Sequence, residues 1–341
     1  MNEKAQLCTY QLTLIENDLQ AYITQSLKRE NQKVLLEMLR YHLGWSTVDG
    51  VSTKKGKRLR PLIAMICGEV CGVEASSMLP FCTAIELLHN FSLIHDDIED
   101  ADERRHGRET LWKHWGVPQA INTGDLLFAI AAQSIGRASA YLSHERVLLA
   151  MDEYFQTCTA LTTGQHLDMR FESMDFITPH AYLEMVEGKT AALLGYSTMV
   201  GAIAAGKSIK DTETFKAFGI NLGIAFQIQD DYLGIWGETA KTGKAGRGDL
   251  IARKKTFPII LGLEKGNEFY HLWHQVDKIS LQNTANLVQA LDNDGIKELV
   301  MHEVKRYTDI AINSLNQITG AQTPAGKILF NLTGELMHRV N

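Results

Sequence analysis

The sequence predicts an all-α protein, and three observations carry that prediction. Only six prolines occur in 341 residues, so few segments are barred from helix. No long apolar–polar alternation of the kind a half-buried strand needs is present. Apolar residues instead recur at spacings of three and four, as in Leu87, Phe91 and Ile94 and again in Phe215, Phe218, Leu222 and Phe226. No low-complexity linker, internal repeat or composition break divides the chain, so one domain over 1–341 is the economical expectation.

Taken in order, residues 1–50 read as an N-terminal helical arm that leads into a core over 51–264. Gly56-Lys57-Arg58-Leu59-Arg60-Pro61 reads as a basic loop before a helix. The run Leu87 to Ile94 leads into His95-Asp96-Asp97-Ile98-Glu99-Asp100, followed by Asp102, Glu103, Arg104 and Arg105. Gly164-Gln165-His166-Leu167-Asp168 puts Gln165 and Asp168 on one helical face. Thr178-Pro179 is a helix start, with threonine as cap and proline in the first turn. Thr190 to Gly206 is the longest weakly polar run; its glycines, serine and threonines suit a buried core helix better than a membrane span. A second acidic stretch, Phe226-Gln227-Ile228-Gln229-Asp230-Asp231, precedes a loop with Gly243, Gly246 and Gly248. Pro61, Pro80, Pro118 and Pro258 are read as marking segment starts, and 265–341 as a helical cap.

Composition narrows the class. Hydrophobic residues make up 45% and charged residues 22% of the chain, the balance of a globular protein. A net charge of -6 argues against nucleic acid as the main partner. Five cysteines without metal-site spacing read as reduced thiols of a cytoplasmic protein. The start Met1-Asn2-Glu3-Lys4 lacks a signal-peptide pattern, and no membrane anchor is expected.

The two aspartate clusters point to chemistry. Carboxylates packed this closely repel one another and hold protons unless a cation sits among them. Asp96 and Asp100 are one turn apart on one face, with His89 and Leu93 on the same stripe; Gln227, Asp230 and Asp231 group on another helix. If those helices face each other, Asp96, Asp100 and Asp230 converge on one cavity. Magnesium suits such a set: it prefers oxygen, takes one or two carboxylates per ion and fills its shell with water and phosphate. Nearby cations suggest that the further ligand is a polyanion such as a diphosphate. Lys57, Arg58 and Arg60 combine point charge and planar fork for phosphate oxygens. A buried Lys189 needs a charged partner, which a phosphate or Asp168 can supply. A lone acidic run is usually a solvated face, but apolar sequence reaches right up to both clusters.

In order along the chain, these motifs resemble the trans-isoprenyl diphosphate synthases of the polyprenyl synthetase family. The match runs from about Lys54 to about Gly262: Gly-Lys-Arg-Leu-Arg-Pro at 56–61, Asp-Asp-x-x-Asp at 96–100 and Arg-x-Gly-Arg at 105–108. Gly-Gln-x-x-Asp at 164–168, Lys189-Thr190, Phe226-Gln227 with Asp230-Asp231, Lys244 and Lys254 follow. The resemblance implies a single helical bundle with a deep central cavity, usually a homodimer. It implies a short-chain enzyme making farnesyl or geranylgeranyl diphosphate from isopentenyl diphosphate and an allylic diphosphate. Asp96, Asp100 and Asp230 would hold magnesium, three ions with diphosphate bound, and Asp97 would support the residues that contact the allylic substrate. Arg105, Lys189, Thr190, Gln227 and Lys244 would contact the allylic substrate, with Gln165, Asp168, Asp231 and Lys254 beside them. Lys57, Arg60, His89 and His106 would hold isopentenyl diphosphate. Growth proceeds beneath the first acidic motif, where Phe91 is bulky and Ser92 small.

Two positions depart from the family pattern. His106 stands where a second arginine is usual, and Gly234 stands where the second acidic motif often ends in aspartate. A class I terpene cyclase and a non-catalytic regulatory subunit of a synthase are the alternatives. A cyclase has less use for Lys57 and Arg60, and a regulatory subunit commonly loses acidic-motif residues that are all present here.

Overall fold

A computed structural model of the chain describes residues 3–46, 56–237, 248–275, 278–318 and 320–337. The described residues are helical almost throughout, apart from one short hairpin. The long helices are α1 (Glu3–Ser26), α2 (Lys33–His42), α3 (Leu59–Val70), α4 (Ala75–Glu99), α6 (Val117–Gly136) and α7 (His144–Glu172), with the short α5 (Leu111–Trp115) between α4 and α6. Then come α8 (Pro179–Val186), α9 (Ala192–Ala205) and α10 (Ile209–Trp236). Helices Phe257–Lys265, Glu268–Gln275, Leu281–Asn293, Ile296–Gln317 and Pro324–Met337 complete the chain. The chain forms two compact units, one of Met1–Tyr154, Ser197–Thr212 and Thr323–Gly326, the other of Phe155–Tyr196, Glu213–Gln322 and Lys327–Asn341.

In the first unit α4 packs on α6 and α3, and α1 packs on both α3 and α4. The expected arm is therefore joined to the core: Ile15, Leu19 and Ile23 of α1 are fully buried. Leu62, Ile63 and Ile66 of α3 and Phe81, Ile85 and Leu88 of α4 supply much of this interior. α4 is long and apolar enough to pass for a membrane span, but it is an internal helix with 67% of that window buried. Pro80 corrects its reading as a start marker, because it lies inside α4. Its ring removes the bond an amide there would make to the carbonyl four residues back, so Pro80 interrupts the hydrogen-bond ladder of α4 instead of opening it.

In the second unit a large apolar core joins Phe171, Tyr182 and Val186 to Ile224 and Ile228 of α10 and to Phe257, Ile260, Phe269 and Leu291 further on. Thr178 caps α8, its hydroxyl accepting the Ala181 amide at 3.1 Å, with Pro179 in the first turn. Between α8 and α9 the backbone widens into a π turn over Glu187–Ala191, an inserted geometry that often marks functional positions.

Candidate active site

In the first unit the acidic motif stands at the C-terminal end of α4, with Asp100 as its cap. The negative pole of a helix disfavours carboxylates, so cations belong here. The following loop is pinned back: the Thr110 hydroxyl and the Trp112 indole donate to the Asp102 carbonyl at 2.8 and 2.9 Å. A hairpin then pairs Arg104 with Glu109 and Arg105 with Arg108. Its two loop residues, His106 and Gly107, have φ of 52° and 83°, the positive values a tight two-residue hairpin turn requires. This turn swings Arg105 onto the motif. Its Nε donates to Asp97 Oδ1 at 2.7 Å, and its Nη2 lies 3.6 Å from Asp96 Oδ2. Burial raises the Asp97 carboxyl to about 6, and Arg105 pulls it back toward ionisation.

Behind the motif lies the basic loop. Arg58 has φ 48°, a left-handed value rare for a long side chain. Its guanidinium holds that geometry by donating to Glu86 at 2.7 Å, Glu16 at 3.1 Å and the Leu43 carbonyl at 3.1 Å. Burial alone would lower its pKa, but Glu86 and Glu16 raise it. Trp45 and Asn90 donate to the same two glutamates at 2.5 and 2.8 Å. The network leaves Lys57 exposed on one side and brings Arg60 Nη1 to 3.3 Å from His89 Nε2 on the other. Burial, then Arg60, Arg105, His42 and Arg58, push His89 well below the usual imidazole range. The neutral ring therefore accepts from Arg60.

In the second unit Asp168 and Lys189 form the expected pair, 2.5 Å apart and both half-buried. Gln165, one turn before Asp168 on α7, is also half-buried. Two glycines make the approach possible. A Cβ on Gly164 would fall 2.7 Å from the Gly188 carbonyl carbon and 2.8 Å from Lys189 Cα, and one on Gly188 would fall 2.6 Å from the Ala160 carbonyl oxygen. The Thr190 hydroxyl donates to Gln227 Oε1 at 3.1 Å, and Gln227 Nε2 donates to Asp231 Oδ1 at 3.0 Å. The other Asp231 oxygen accepts the Phe257 amide at 2.9 Å and the Tyr182 hydroxyl. Burial raises Asp231 to about 6 against the pull of these three donors.

The expectation that apolar sequence shields the aspartates holds for Asp97 and Asp231, which are buried, and fails for Asp100 and Asp230, which are exposed. Successive helix residues point about 100° apart, so adjacent aspartates occupy different environments. His106 is exposed on its turn, and Lys254 is exposed. The neighbouring Lys255 donates to the Phe171 carbonyl at 2.8 Å and to the Glu172 and Met174 carbonyls, closing the end of α7. The Asp249 carboxylate lies where a Cβ at Gly234 would go, so an acid already stands beside that position. Lys244 lies outside the described residues. Glu86 and Tyr182 are the supporting groups that sequence reasoning missed, and Arg58, read as a fork for phosphate oxygens, is instead buried between Glu16 and Glu86.

Among the described residues no three carboxylate, imidazole or thiol groups form a ready-made metal shell. The donors still fit magnesium, which takes few protein ligands and completes its octahedron with water and phosphate. Hard carboxylate oxygens at a helix's negative end, with one neighbour raised to about 6, are chemistry a divalent cation relieves.

An all-helical chain with two acidic motifs, the first held by Arg105 and the second by the Gln227–Asp231 bond near the Lys189–Asp168 pair, is of the prenyltransferase class. The polyprenyl synthetase family model matches residues 46–292. A farnesyl diphosphate synthase of Mycobacterium tuberculosis is 33% identical over 298 residues, covering 84% of this chain and 82% of that protein. A geranylgeranyl diphosphate synthase of Sulfolobus acidocaldarius is 37% identical over 284 residues, covering 81% and 85%. A polyprenyl synthetase from Streptomyces coelicolor matches with a TM-score of 0.86 at 30% identity, covering 98% of this chain and 99% of that one. The protein belongs to the polyprenyl synthetase family and has its all-α fold. It is a trans-prenyltransferase, and divalent metal use comes with that family.

Proposed function

We propose that the protein condenses isopentenyl diphosphate with an allylic diphosphate and releases inorganic diphosphate. The product is an all-trans prenyl diphosphate of the farnesyl or geranylgeranyl class. The observation that carries this reading is the surroundings of the two acidic motifs: Arg105 on Asp97 at the first, and at the second the Thr190–Gln227–Asp231 chain, whose Thr190 follows directly on the Lys189 paired with Asp168. The metal ligands in this reading are Asp96, Asp100 and Asp230, holding three magnesium ions with diphosphate bound. Magnesium supplies charge that stabilises the departing diphosphate.

Arg105, Lys189 and Lys244 add cationic charge where negative charge develops as the allylic carbon–oxygen bond breaks. Thr190 and Gln227 turn oxygen dipoles toward the carbocation left behind. Lys57, Arg60 and the neutral His89, with His106, hold isopentenyl diphosphate so that its double bond attacks that carbon. A carbon–carbon bond forms, and the proton lost from the isopentenyl unit passes to the released diphosphate. Asp97 and Asp231 orient their neighbours from buried positions, while Gln165, Asp168 and Lys254 support the allylic diphosphate.

In this reading the two units act as one catalytic domain, and the protein is a cytoplasmic homodimer. Exposed apolar side chains on α6 and α7, among them Ile121, Leu148 and Leu149, support the dimer, and five cysteines outside any disulfide support a reducing compartment. The test is incubation of the purified protein with magnesium, isopentenyl diphosphate and each allylic diphosphate in turn, with the masses of dephosphorylated products read out. Elongation to fifteen or twenty carbons that stops on chelation and returns with magnesium is expected. A cyclic hydrocarbon from the allylic substrate alone, or no elongation at all, would refute the reading.

A further inference from the structure

His42 is the last residue of α2, and its Nε2 is enclosed without a hydrogen-bond partner among the described residues. Enclosed polar atoms are nearly always paired, so this one needs an explanation. Packing alone does not supply it, because an apolar ring of the same shape would fill the space without an orphaned nitrogen.

The surroundings indicate what the missing partner is. The charges that act most on His42 are the guanidiniums of Arg105, Arg108 and Arg58, with His106 a smaller contributor. Burial and those charges hold its pKa down to about 3, so at neutral pH the ring is uncharged and carries one N–H. His89 responds to Arg105 and Arg58 as well, and to His42 itself. The two imidazoles therefore share Arg105 and Arg58, and His89 adds Arg60.

The end of α2 is also prepared for an anion. Free carbonyls at a helix C-terminus repel negative charge, yet these are occupied. The Leu43 amide bonds the Leu39 carbonyl at 2.9 Å, and the Trp45 amide bonds the Arg40 carbonyl at 2.8 Å. Arg108 donates to the carbonyl of Tyr41 and, at 2.7 Å, to that of His42. Its guanidinium also lies 4.8 Å from the Tyr41 ring centroid. An arginine thus covers the negative pole, and the largest charges acting on the imidazole of the last residue are those of arginines.

We propose that His42 is a further ligand of isopentenyl diphosphate, its Nε2–H donating to a diphosphate oxygen beside Arg60 and His89. The inference rests on the reading of Arg60 and His89 as the isopentenyl diphosphate site. It also accounts for the histidine at position 106, where the tight hairpin turn carries an exposed imidazole. The hydrogen bond that a longer cation at 106 would give comes instead from the end of α2.

The test is steady-state kinetics of H42F, H42Q and the double variant H42F/H106R, with thermal unfolding of each as a fold control. H42F keeps the ring and removes the donor. Its KM for isopentenyl diphosphate should rise about ten- to a hundredfold, the range for losing one hydrogen bond to a charged group. Its KM for the allylic substrate should stay within about twofold. H42Q, which keeps an N–H, should fall between H42F and the wild type, and H42F/H106R should recover most of the loss. An unchanged isopentenyl KM in a folded H42F overturns the proposal. So does an equal rise for both substrates with lowered thermal stability, which marks His42 as packing. Should the wild type fail to elongate, the functional reading fails first; calorimetric binding of isopentenyl diphosphate to wild type and H42F then decides on His42.

Discussion

Replacing Gly164 by alanine tests whether backbone approach, rather than side-chain chemistry alone, sets the position of Lys189. The new methyl would press hardest on the Lys189 amide nitrogen and lie 2.7 Å from the Gly188 carbonyl carbon and 2.8 Å from Lys189 Cα, where ordinary van der Waals contact starts at 3.4 Å. These are backbone atoms, so no side chain can swing away, and the two segments must part by roughly 1 Å. Overpacking of this kind costs about 1–3 kcal/mol, and alanine's helix propensity returns up to about 1 kcal/mol. The protein should therefore stay folded, losing about 1–2 kcal/mol in urea unfolding. Activity should suffer far more. The displacement pulls Lys189 from Asp168 and Thr190 from Gln227, and a shift near 1 Å at catalytic groups costs about a hundredfold in rate. The assay is elongation with labelled isopentenyl diphosphate, run beside Gly136→Ala, whose added methyl meets nothing within 4 Å. That control should keep full activity and gain up to about 1 kcal/mol. A folded Gly164→Ala enzyme with wild-type kcat and allylic KM would refute the argument.

Arg58→Met removes the cation between Glu86 and Glu16 and should cost about 3–5 kcal/mol in chemical unfolding, the penalty for a buried charge left unpaired. On the proposed growth of the product beneath the first acidic motif, Phe91→Ala should lengthen the products by one or more isoprene units in mass analysis; the ring it removes packs 5.2 Å from Phe128 and 4.7 Å from His95 between centroids. For pH, the folded His42 pKa of about 3 lies below the unfolded value of 6.5. The stability tied to it is complete above pH 6.5 and drains as pH falls toward 3, by about 1.4 kcal/mol per unit. Wild type should thus lose about 2 kcal/mol more than H42F between pH 6.5 and 5. Asp97 and Asp231, raised to about 6, act in the opposite sense in both proteins and cancel in the comparison.

What could be read from the sequence follows the range of the forces involved. Helices such as α4 and α10 are local, and spacings of three and four disclose them; the Thr178-Pro179 start is a local cap. The Asp168–Lys189 pair was legible because a half-buried lysine needs a charge and few were nearby. The π turn at Glu187–Ala191 was not, since it lies where Gly188 meets Gly164 across more than twenty residues, an approach no local pattern reveals. Nor was the fate of Arg58, whose partners Glu16 and Glu86 come from α1 and α4. The hairpin at 104–109 has strands of two residues each, too short for any alternation to show.

One arrangement recurs in both units. In each acidic motif the aspartate after the one assigned to metal is turned inward and satisfied by the protein: Asp97 by Arg105, Asp231 by Gln227, Tyr182 and the Phe257 amide. A buried carboxylate fully engaged by fixed donors cannot also serve as a mobile metal ligand without leaving those donors unpaired, a costly exchange. Its value is positional. Because neighbouring residues on a helix are offset by about 100°, locking Asp97 fixes the direction of Asp96, and locking Asp231 fixes that of Asp230. Adjacent aspartates in these motifs are thus two different groups, one a buried anchor with a raised pKa and one, half-buried at Asp96 and exposed at Asp230, that we propose as the metal ligand.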